Sequence, residues 1–439
     1  MAFKIVLSTA GTAGDLNPFV AIALELKARG HSPFIATQRE FRATVEDEGI
    51  GFYALRPSMA DVGEELGLEP SEIIERTTRV STGLGFAVRH IAMPFLRRTF
   101  EDMMAATADA DLVVTHTSAF AARLAAEKRN IPWLSAALSP FTFMSAYDPP
   151  LLSATPALKV LREMTGSRSD VALLQIIKLA TTTWTRKFQR LRTELGMPKS
   201  PNPLFEGQFS PFGTLGLYSP LFGAPQADFP IDCALTGFCF FDHRHGAPQS
   251  LSPEIRSFLQ AGPPPLVFTL GTALIWDPGD FYDVSVQVAH RLGRRAVILV
   301  GPEAARLQAG KAAPKDVLVV DYAPHSELFP YAAAIIHHGG MGTTAQALRA
   351  GKPQLVVPHF ADQPDNAERV RRLGVGRNVA AGSYTPGRAR RELATLLAGA
   401  DYAGRAGELA HVLRTEDGAG TAADIIEANL SAANLRRTA

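Results

Sequence analysis

The chain has 439 residues, 46% of them hydrophobic and 20% charged, more than one hydrophobic core usually serves, so two domains are expected. Its 44 basic and 43 acidic side chains leave a formal net charge of +1, which provides no large field to hold nucleic acid or an anionic membrane. Cys233 and Cys239 are the only cysteines, too few for a disulfide scaffold or a cysteine-rich metal site, and they fit a reducing cytoplasm.

The chain opens on a short apolar run, Lys4–Ser8, which reads as a first strand and is too brief for a signal peptide. A glycine loop follows, then an amphipathic helical stretch from Asp15 to Arg29, Gly30 as a stop, and a strand over Pro33–Thr37. A second βαβ unit recurs at Asp111–Thr115, Ala119–Arg129 and Trp133–Ala137. Residues 57–107 and 141–200 carry helical periodicity. Their Phe86, Met93, Phe141, Phe143 and Met144 are candidates either for core packing or for an apolar small-molecule pocket. Regularity lapses over Ser219–Pro230 and Phe241–Pro265, which places a linker at about 221–262.

Alternation restarts with strands at Leu266–Leu270, Ala296–Val300, Val317–Asp321, Ala333–His337 and Gln354–Pro358, and helices near Tyr282–Leu292, after Gly342 and from Asp362. Such order predicts a second parallel sheet. Three helical segments, from about Pro386, Tyr402 and Thr421, close the chain. The expected division is a first domain over 1–225, a second over 226–420, and a helical tail over 421–439 that packs back on the first domain. No uninterrupted apolar run reaches the roughly 18 residues of a membrane-spanning helix, so a soluble, cytoplasmic protein is expected.

The densest chemical signal is Ile335-Ile336-His337-His338-Gly339-Gly340-Met341-Gly342-Thr343-Thr344, an apolar strand running through glycines into a helix. Glycines let backbone N–H groups approach an anion, and the helix N-terminus adds a favourable dipole. The same residues also read as a tight turn with a buried histidine. Phe268-Thr269-Leu270-Gly271-Thr272 ends another strand with a glycine and a hydroxyl able to meet phosphate. Pro358-His359-Phe360-Ala361-Asp362-Gln363-Pro364-Asp365-Asn366 leaves a third strand with acceptor and donor groups suited to sugar hydroxyls, although Asp362 by itself reads as a helix N-cap. In the first half, Ser8-Thr9-Ala10-Gly11-Thr12-Ala13-Gly14-Asp15-Leu16-Asn17-Pro18 is not a dinucleotide fingerprint, and Asp15 there has the bare reading of an N-cap. Asp109-Ala110-Asp111 has the form of a D-x-D metal motif but precedes a strand and reads as capping or turn structure.

On these motifs, residues 266–374 resemble the nucleotide-sugar half of the GT-B glycosyltransferases of the UDP-glycosyltransferase superfamily. The look is that of bacterial members acting on lipids, flavonoids, macrolides and glycopeptides, including rhamnolipid rhamnosyltransferases and sterol glucosyltransferases. The resemblance implies an α/β, GT-B fold: two Rossmann-like domains with parallel sheets facing across a cleft. It implies that His338 donates to the diphosphate, with Gly340, Gly342 and Thr343 supplying loop and helix-start contacts and Thr272 a phosphate contact. His337 is left to sheet packing. Tyr322 stands where the superfamily stacks a Trp on the nucleobase, and Asp362 and Gln363 match the pair that holds the donor sugar. Gln346 stands where UDP-sugar users carry a Glu for the ribose hydroxyls. Its neutrality suits a dTDP-sugar, whose deoxyribose lacks the 2′-hydroxyl, while UDP-glucose remains open.

The resemblance also puts the catalytic base in the loop of Asp15. Its companion position carries His116, so the expected pair is Asp15 with His116, an imidazole being able to take a proton near neutral pH. The implied activity is an inverting, metal-independent transfer of a hexose, rhamnose from dTDP-rhamnose foremost, to a hydroxyl of a small lipophilic or phenolic acceptor. No cofactor beyond the nucleotide-sugar donor is expected. A phenol with a pKa near 10 demands less of the base than an alcohol does, which favours a flavonoid over a hydroxy-fatty acid. Competing readings are a UDP-glucose-dependent glucosyltransferase of sterols, macrolides or phenolics, a non-hydrolysing sugar-nucleotide epimerase of the same architecture, and a catalytically silent sugar-nucleotide-binding partner.

Overall fold

The computed structural model describes all residues except 1, 80–81, 151–166, 243–249, 275–277, 302–314 and 439. The chain forms two compact units, one of Met1–Thr77, Ser81–Phe241 and Asp417–Ala439, the other of Asp242–Glu416 with Thr78–Val80.

The first unit holds a seven-stranded sheet built from β1 (Lys4–Ser8), β2 (Ser32–Gln38), β3 (Gly51–Leu55), β4 (Leu112–His116), β5 (Trp133–Ala137), β6 (Thr214–Gly216) and β7 (Cys233–Leu235). Its order is β3-β2-β1-β4-β5-β6-β7, and every pairing is parallel. The central strands are apolar at successive positions because both faces are covered. Ile5 and Leu7 of β1 join Leu112 and Val114 of β4 in the core under α1 (Ala13–Ala28). Val6 and Val113 face the opposite core, with residues of α2 (Met93–Ala106) and α3 (Phe120–Arg129).

The stretch expected to be amphipathic, α1, is buried almost all round at Leu16, Phe19, Val20, Ala21, Ile22, Ala23 and Leu26. The helix Gly418–Thr438, labelled α9 below, explains this by laying Ala422, Ala423, Ile426 and Leu430 on the outer face of α1. Arg29 fastens the contact, donating to Asp424 Oδ1 at 2.5 Å, Glu427 Oε2 at 2.8 Å and Gly420 O at 3.1 Å, while His31 Nε2 lies 2.9 Å from Glu427 Oε1.

The second unit repeats the architecture with β8 (Leu266–Thr269), β9 (Ala296–Leu299), β10 (Val317–Val320), β11 (Ala334–His337), β12 (Gln354–Val356) and β13 (Gly376–Asn378), in the all-parallel order β10-β9-β8-β11-β12-β13. Its helices include α4 (Phe281–Arg291), α5 (Met341–Arg349), α6 (Gln363–Arg372), α7 (Pro386–Ala398) and α8 (Ala400–Leu413). Phe268 and Ile336 point into one core, Val267 and Ile335 into the other. Four strands lacked a clear sequence signal: β3, β6, β7 and β13. The last three have three residues each, too short for a period to register. Among the described residues no helix is long and apolar enough to cross a membrane.

Candidate active site

Strand order decides where ligands can bind. In an open parallel sheet the crevice opens at the carboxyl edge where the order reverses, between β1 and β4 in one unit and between β8 and β11 in the other. Asp15 follows β1 and His116 is the last residue of β4; Gly271 and His338 follow β8 and β11.

In the second unit β11 delivers two histidines with different tasks. His337 is fully buried: its Nδ1 accepts from Gly339 N at 3.0 Å, and its Nε2 donates to Gln354 Oε1 at 2.8 Å. Both ring nitrogens are thereby used within the protein. Burial, opposed by the Gln354 bond, brings its pKa down to about 4. His338 lies against two glycines. A Cβ on Gly271, whose φ is +66°, would meet His338 Cε1 at 2.5 Å, and one on Gly340 would strike Nε2. Its Nδ1 is buried without a hydrogen-bond partner. Burial, then the nearby imidazoles of His337, His359 and His325, hold His338 well below the ordinary histidine range, so it is neutral and carries one N–H.

Gly340 is the N-cap of α5 and no side chain caps the helix, which leaves the amides of its first turn for another acceptor. Gly342 is exposed, and a Cβ there would enter open space. Thr343 and Gln346 are buried on α5, at 7% and 8% exposure, and Thr344 Oγ1 back-bonds to Gly340 O at 2.9 Å. Thr272 belongs to the helical turn Gly271–Leu274, and the contact expected of its hydroxyl lies outside the described residues.

Tyr322 is half-buried and anchored at its tip, its hydroxyl donating to Asp242 O at 3.0 Å. The Asp242 carboxylate accepts from Ser326 N at 2.6 Å, so residues 322 and 326 are both tied to Asp242. His325 stacks on Phe329 with centroids 4.4 Å apart; burial lowers its pKa and Asp242 opposes the shift.

The third loop is held by its own polar side chains. Gln363 Oε1 accepts from His359 N at 2.9 Å and Phe360 N at 3.2 Å, which leaves the amide NH₂ as the group able to reach a ligand. Asp362 occupies the N-cap position of α6 without capping it; its Oδ2 accepts from Asn366 Nδ2 at 2.8 Å. The residue before it, Ala361, is held at φ 53°, a conformation that non-glycine residues rarely take.

In the first unit Asp15 is the third residue of α1 rather than its N-cap. Thr12 is the cap, and Asp15 Oδ2 closes a capping box by accepting from Thr12 N at 2.7 Å and Thr12 Oγ1 at 3.1 Å. Gly11 makes room, because a Cβ there would collide with that carboxylate. His116 ends β4 with Nδ1 2.7 Å from Ser118 Oγ and its ring edge-on to Phe19 at 6.2 Å. Ser118 Oγ also lies 3.3 Å from Ala10 O; with its hydrogen given there it accepts from Nδ1–H, and in that tautomer the Nε2 lone pair is open to a proton. Burial lowers the His116 pKa, and the charge of Asp15 and the Ala10 carbonyl raise it. Asp15 acts on His116 through its charge, and no hydrogen bond joins the two side chains among the described residues.

The Asp109–Asp111 pair sits at the opposite, amino edge of the sheet and is engaged by one lysine. Lys4 Nζ meets Asp109 at 2.5 Å, and Lys4 N donates to Asp111 Oδ2 at 2.8 Å. Of the apolar candidates, Met93 is core, and Phe143 is packed between Phe229 and Phe209 at 4.1 and 5.5 Å. Phe86, Phe141 and Met144 keep partial exposure. Sequence reasoning gave no role to Ser118 or Asn366 and read Gly271 only as the glycine that ends a strand, not as the residue against which His338 packs.

Residues 5–147 match the glycosyltransferase family 28 N-terminal domain, and residues 291–423 match the erythromycin biosynthesis protein CIII-like C-terminal domain. The chain is 31% identical over 411 residues to O-mycaminosyltylonolide 6-deoxyallosyltransferase of Streptomyces fradiae, covering 84% of each chain. It is 30% identical over 384 residues to glycosyltransferase GtfE of Amycolatopsis orientalis, covering 85% of each. A sterol 3-beta-glucosyltransferase of Aspergillus terreus is 27% identical over 85% of this chain and 26% of its own length. Among solved structures, the glycosyltransferase of kitacinnamycin superposes with a TM-score of 0.66 at 22% identity, covering 98% of this chain and 100% of that one. Glycosyltransferase VinC in complex with dTDP gives 0.67 at 20% identity, covering 97% and 99%. With the paired parallel sheets, the glycine turn after β11 and these relatives, the chain belongs to the GT-B glycosyltransferases with a family 28 N-terminal and an erythromycin CIII-like C-terminal domain.

Proposed function

We propose that the protein transfers a 6-deoxyhexose, rhamnose foremost, from its dTDP-sugar to a hydroxyl of a small apolar acceptor, with inversion and without a metal. The observation that carries the donor assignment is Gln346. It is buried on the helix whose N-terminus follows the glycine turn, and it is neutral where UDP-sugar enzymes of this superfamily carry a carboxylate. A relative named for a 6-deoxysugar and a neighbour solved with dTDP support the same choice.

In this mechanism the acceptor oxygen attacks the anomeric carbon from the face opposite the diphosphate. Its proton passes to the neutral His116, whose new positive charge Asp15 stabilises. The bond from the anomeric carbon to the diphosphate oxygen breaks, and the electron pair leaves with the diphosphate. His338 N–H and the uncapped amides at the start of α5 stabilise that developing charge, a task a metal performs in other enzymes. Asp362 and the Gln363 amide hold sugar hydroxyls, and Tyr322 stacks on the base. Acceptors of the relatives include a macrolide and sterols by name, which supports an apolar alcohol or phenol here.

The test is incubation with EDTA, dTDP-rhamnose or UDP-glucose, and a panel of macrolide aglycones, flavonoids, hydroxy-fatty acids and sterols, with products read by mass. Transfer from dTDP-rhamnose is expected, and Gln346→Glu is expected to raise use of UDP-glucose. Transfer from UDP-glucose alone, the reading to which the sterol glucosyltransferase relatives point, overturns the donor assignment. Nucleotide binding without transfer to any acceptor favours the silent partner.

A further inference from the structure

Asn366 joins two parts of the donor site that are far apart in sequence. Its side chain is fully buried on α6, and Nδ2 spends one hydrogen on Gly339 O at 2.9 Å and the other on Asp362 Oδ2 at 2.8 Å. The first acceptor is the carbonyl of the turn that leads into α5. The second is the carboxylate assigned to the sugar. The peptides flanking Gly339 are thus gripped on both sides, since Gly339 N donates to His337 Nδ1. The turn also lies directly on the Asp362 loop: Gly339 has φ +89°, and a Cβ there would stand 2.8 Å from Val356 Cγ1 and 3.2 Å from Gln363 O.

The chemistry of one primary amide suits this bridge. Two hydrogens on a single nitrogen diverge to two acceptors, which a hydroxyl, a carboxylate or an alkyl side chain cannot do. Asn366 Oδ1, in contrast, is buried without a hydrogen-bond partner. An orphaned buried carbonyl costs stability. All of the side chain's hydrogen bonding therefore lies with its nitrogen, in the two bonds that tie the turn to the carboxylate.

We infer that Asn366 is a positioning residue that sets the Asp362 carboxylate in register with the diphosphate turn, so that the sugar and the diphosphate of one donor are held at a fixed separation. This rests on the donor-site reading above. It gives Asn366 no contact with substrate; it acts through Asp362 and Gly339.

The test is titration calorimetry of the full chain with dTDP and dTDP-rhamnose, and in parallel UDP and UDP-glucose, for wild type, Asn366→Ala, Asp362→Ala and the double variant. The readout is the ratio of nucleotide-sugar affinity to bare-diphosphate affinity, which a merely structural lesion leaves unchanged. Each single variant is expected to lower that ratio about tenfold, and the double variant to lower it no further. Equal weakening of both ligands by Asn366→Ala, or additive losses in the double variant, overturns the inference while leaving Asp362 in its role. An unchanged ratio in Asp362→Ala, or no donor bound by wild type, instead overturns the donor-site reading and the inference with it. If Asn366→Ala does not fold, Asn366→Ser, which brings no charge beside Asp362, carries the same comparison.

Discussion

Acid should loosen the second unit through His337, and the size of the effect can be worked out. An unfolded histidine titrates near 6.5, whereas in the fold burial brings His337 down to about 4. The folded state therefore binds the proton less readily than the unfolded state. The contribution to stability is complete above pH 6.5 and is lost as pH falls from there toward 4. Between pH 7 and pH 5 the loss is about 2 kcal/mol. Protonation also abolishes the acceptor at Nδ1 that Gly339 N uses, so the turn before α5 loosens with it. His337→Asn keeps a side-chain acceptor for that amide and cannot charge. It is expected to lose stability at pH 7 with the Gln354 bond, yet to flatten the acid limb by about 2 kcal/mol relative to wild type. His338 is shifted in the same direction, so the comparison of variant with wild type isolates His337. Urea-dependent hydrogen exchange of peptides covering 334–340, at pH 5, 6 and 7, measures both. If the variant loses as much stability on acidification as wild type does, the assignment of the acid lability to His337 is wrong.

For Asp15→Asn, the acid limb of kcat/KM should move to lower pH, because the carboxylate is what raises the His116 pKa against burial; a limb that stays in place removes Asp15 from the proton-transfer scheme. Gly271→Ala should lower kcat/KM by roughly 100-fold through displacement of the His338 ring. Gly293→Ala, with φ +59° and nothing near its Cβ, carries the backbone strain alone, so equal losses in the two variants would refute the clash. Ile426→Ala, at a fully buried site between α9 and α1, should cost roughly 2–5 kcal/mol in urea unfolding of the first unit, and a cost under about 1 kcal/mol would mean that α9 is not integral to that core.

Much of the site was legible because its signals are local. A strand buried on both faces must be apolar at every position, so β1, β4, β8 and β11 stand out within a few residues of their true ends. A strand running through glycines into a helix is a local pattern, so His338 and the glycines before α5 stand out as candidates from the residues themselves, whereas Gln346 stands out only through the resemblance. Other readings were incomplete for the same reason. Asp15 was read as a cap because an acidic residue at a helix start is a local signal; that Thr12 caps and Asp15 closes the box requires the backbone conformation at Gly11.

Periodicity over short stretches is enough for the α/β class and for the glycine turn after β11, whereas the candidate donor and base residues come from the resemblance their motifs carry. Tertiary structure alone decided which of these meet. The reversal of strand order sets β1 beside β4 across 107 residues, and so brings His116 near Asp15. Helix α9 covers α1 from nearly 400 residues away, which is why α1 lacks the polar face expected of it. Phe143 and Met93 proved to be core, and Asn366 a bridge, because burial and hydrogen bonding between distant segments depend on where the sheets place them and leave no period in the chain.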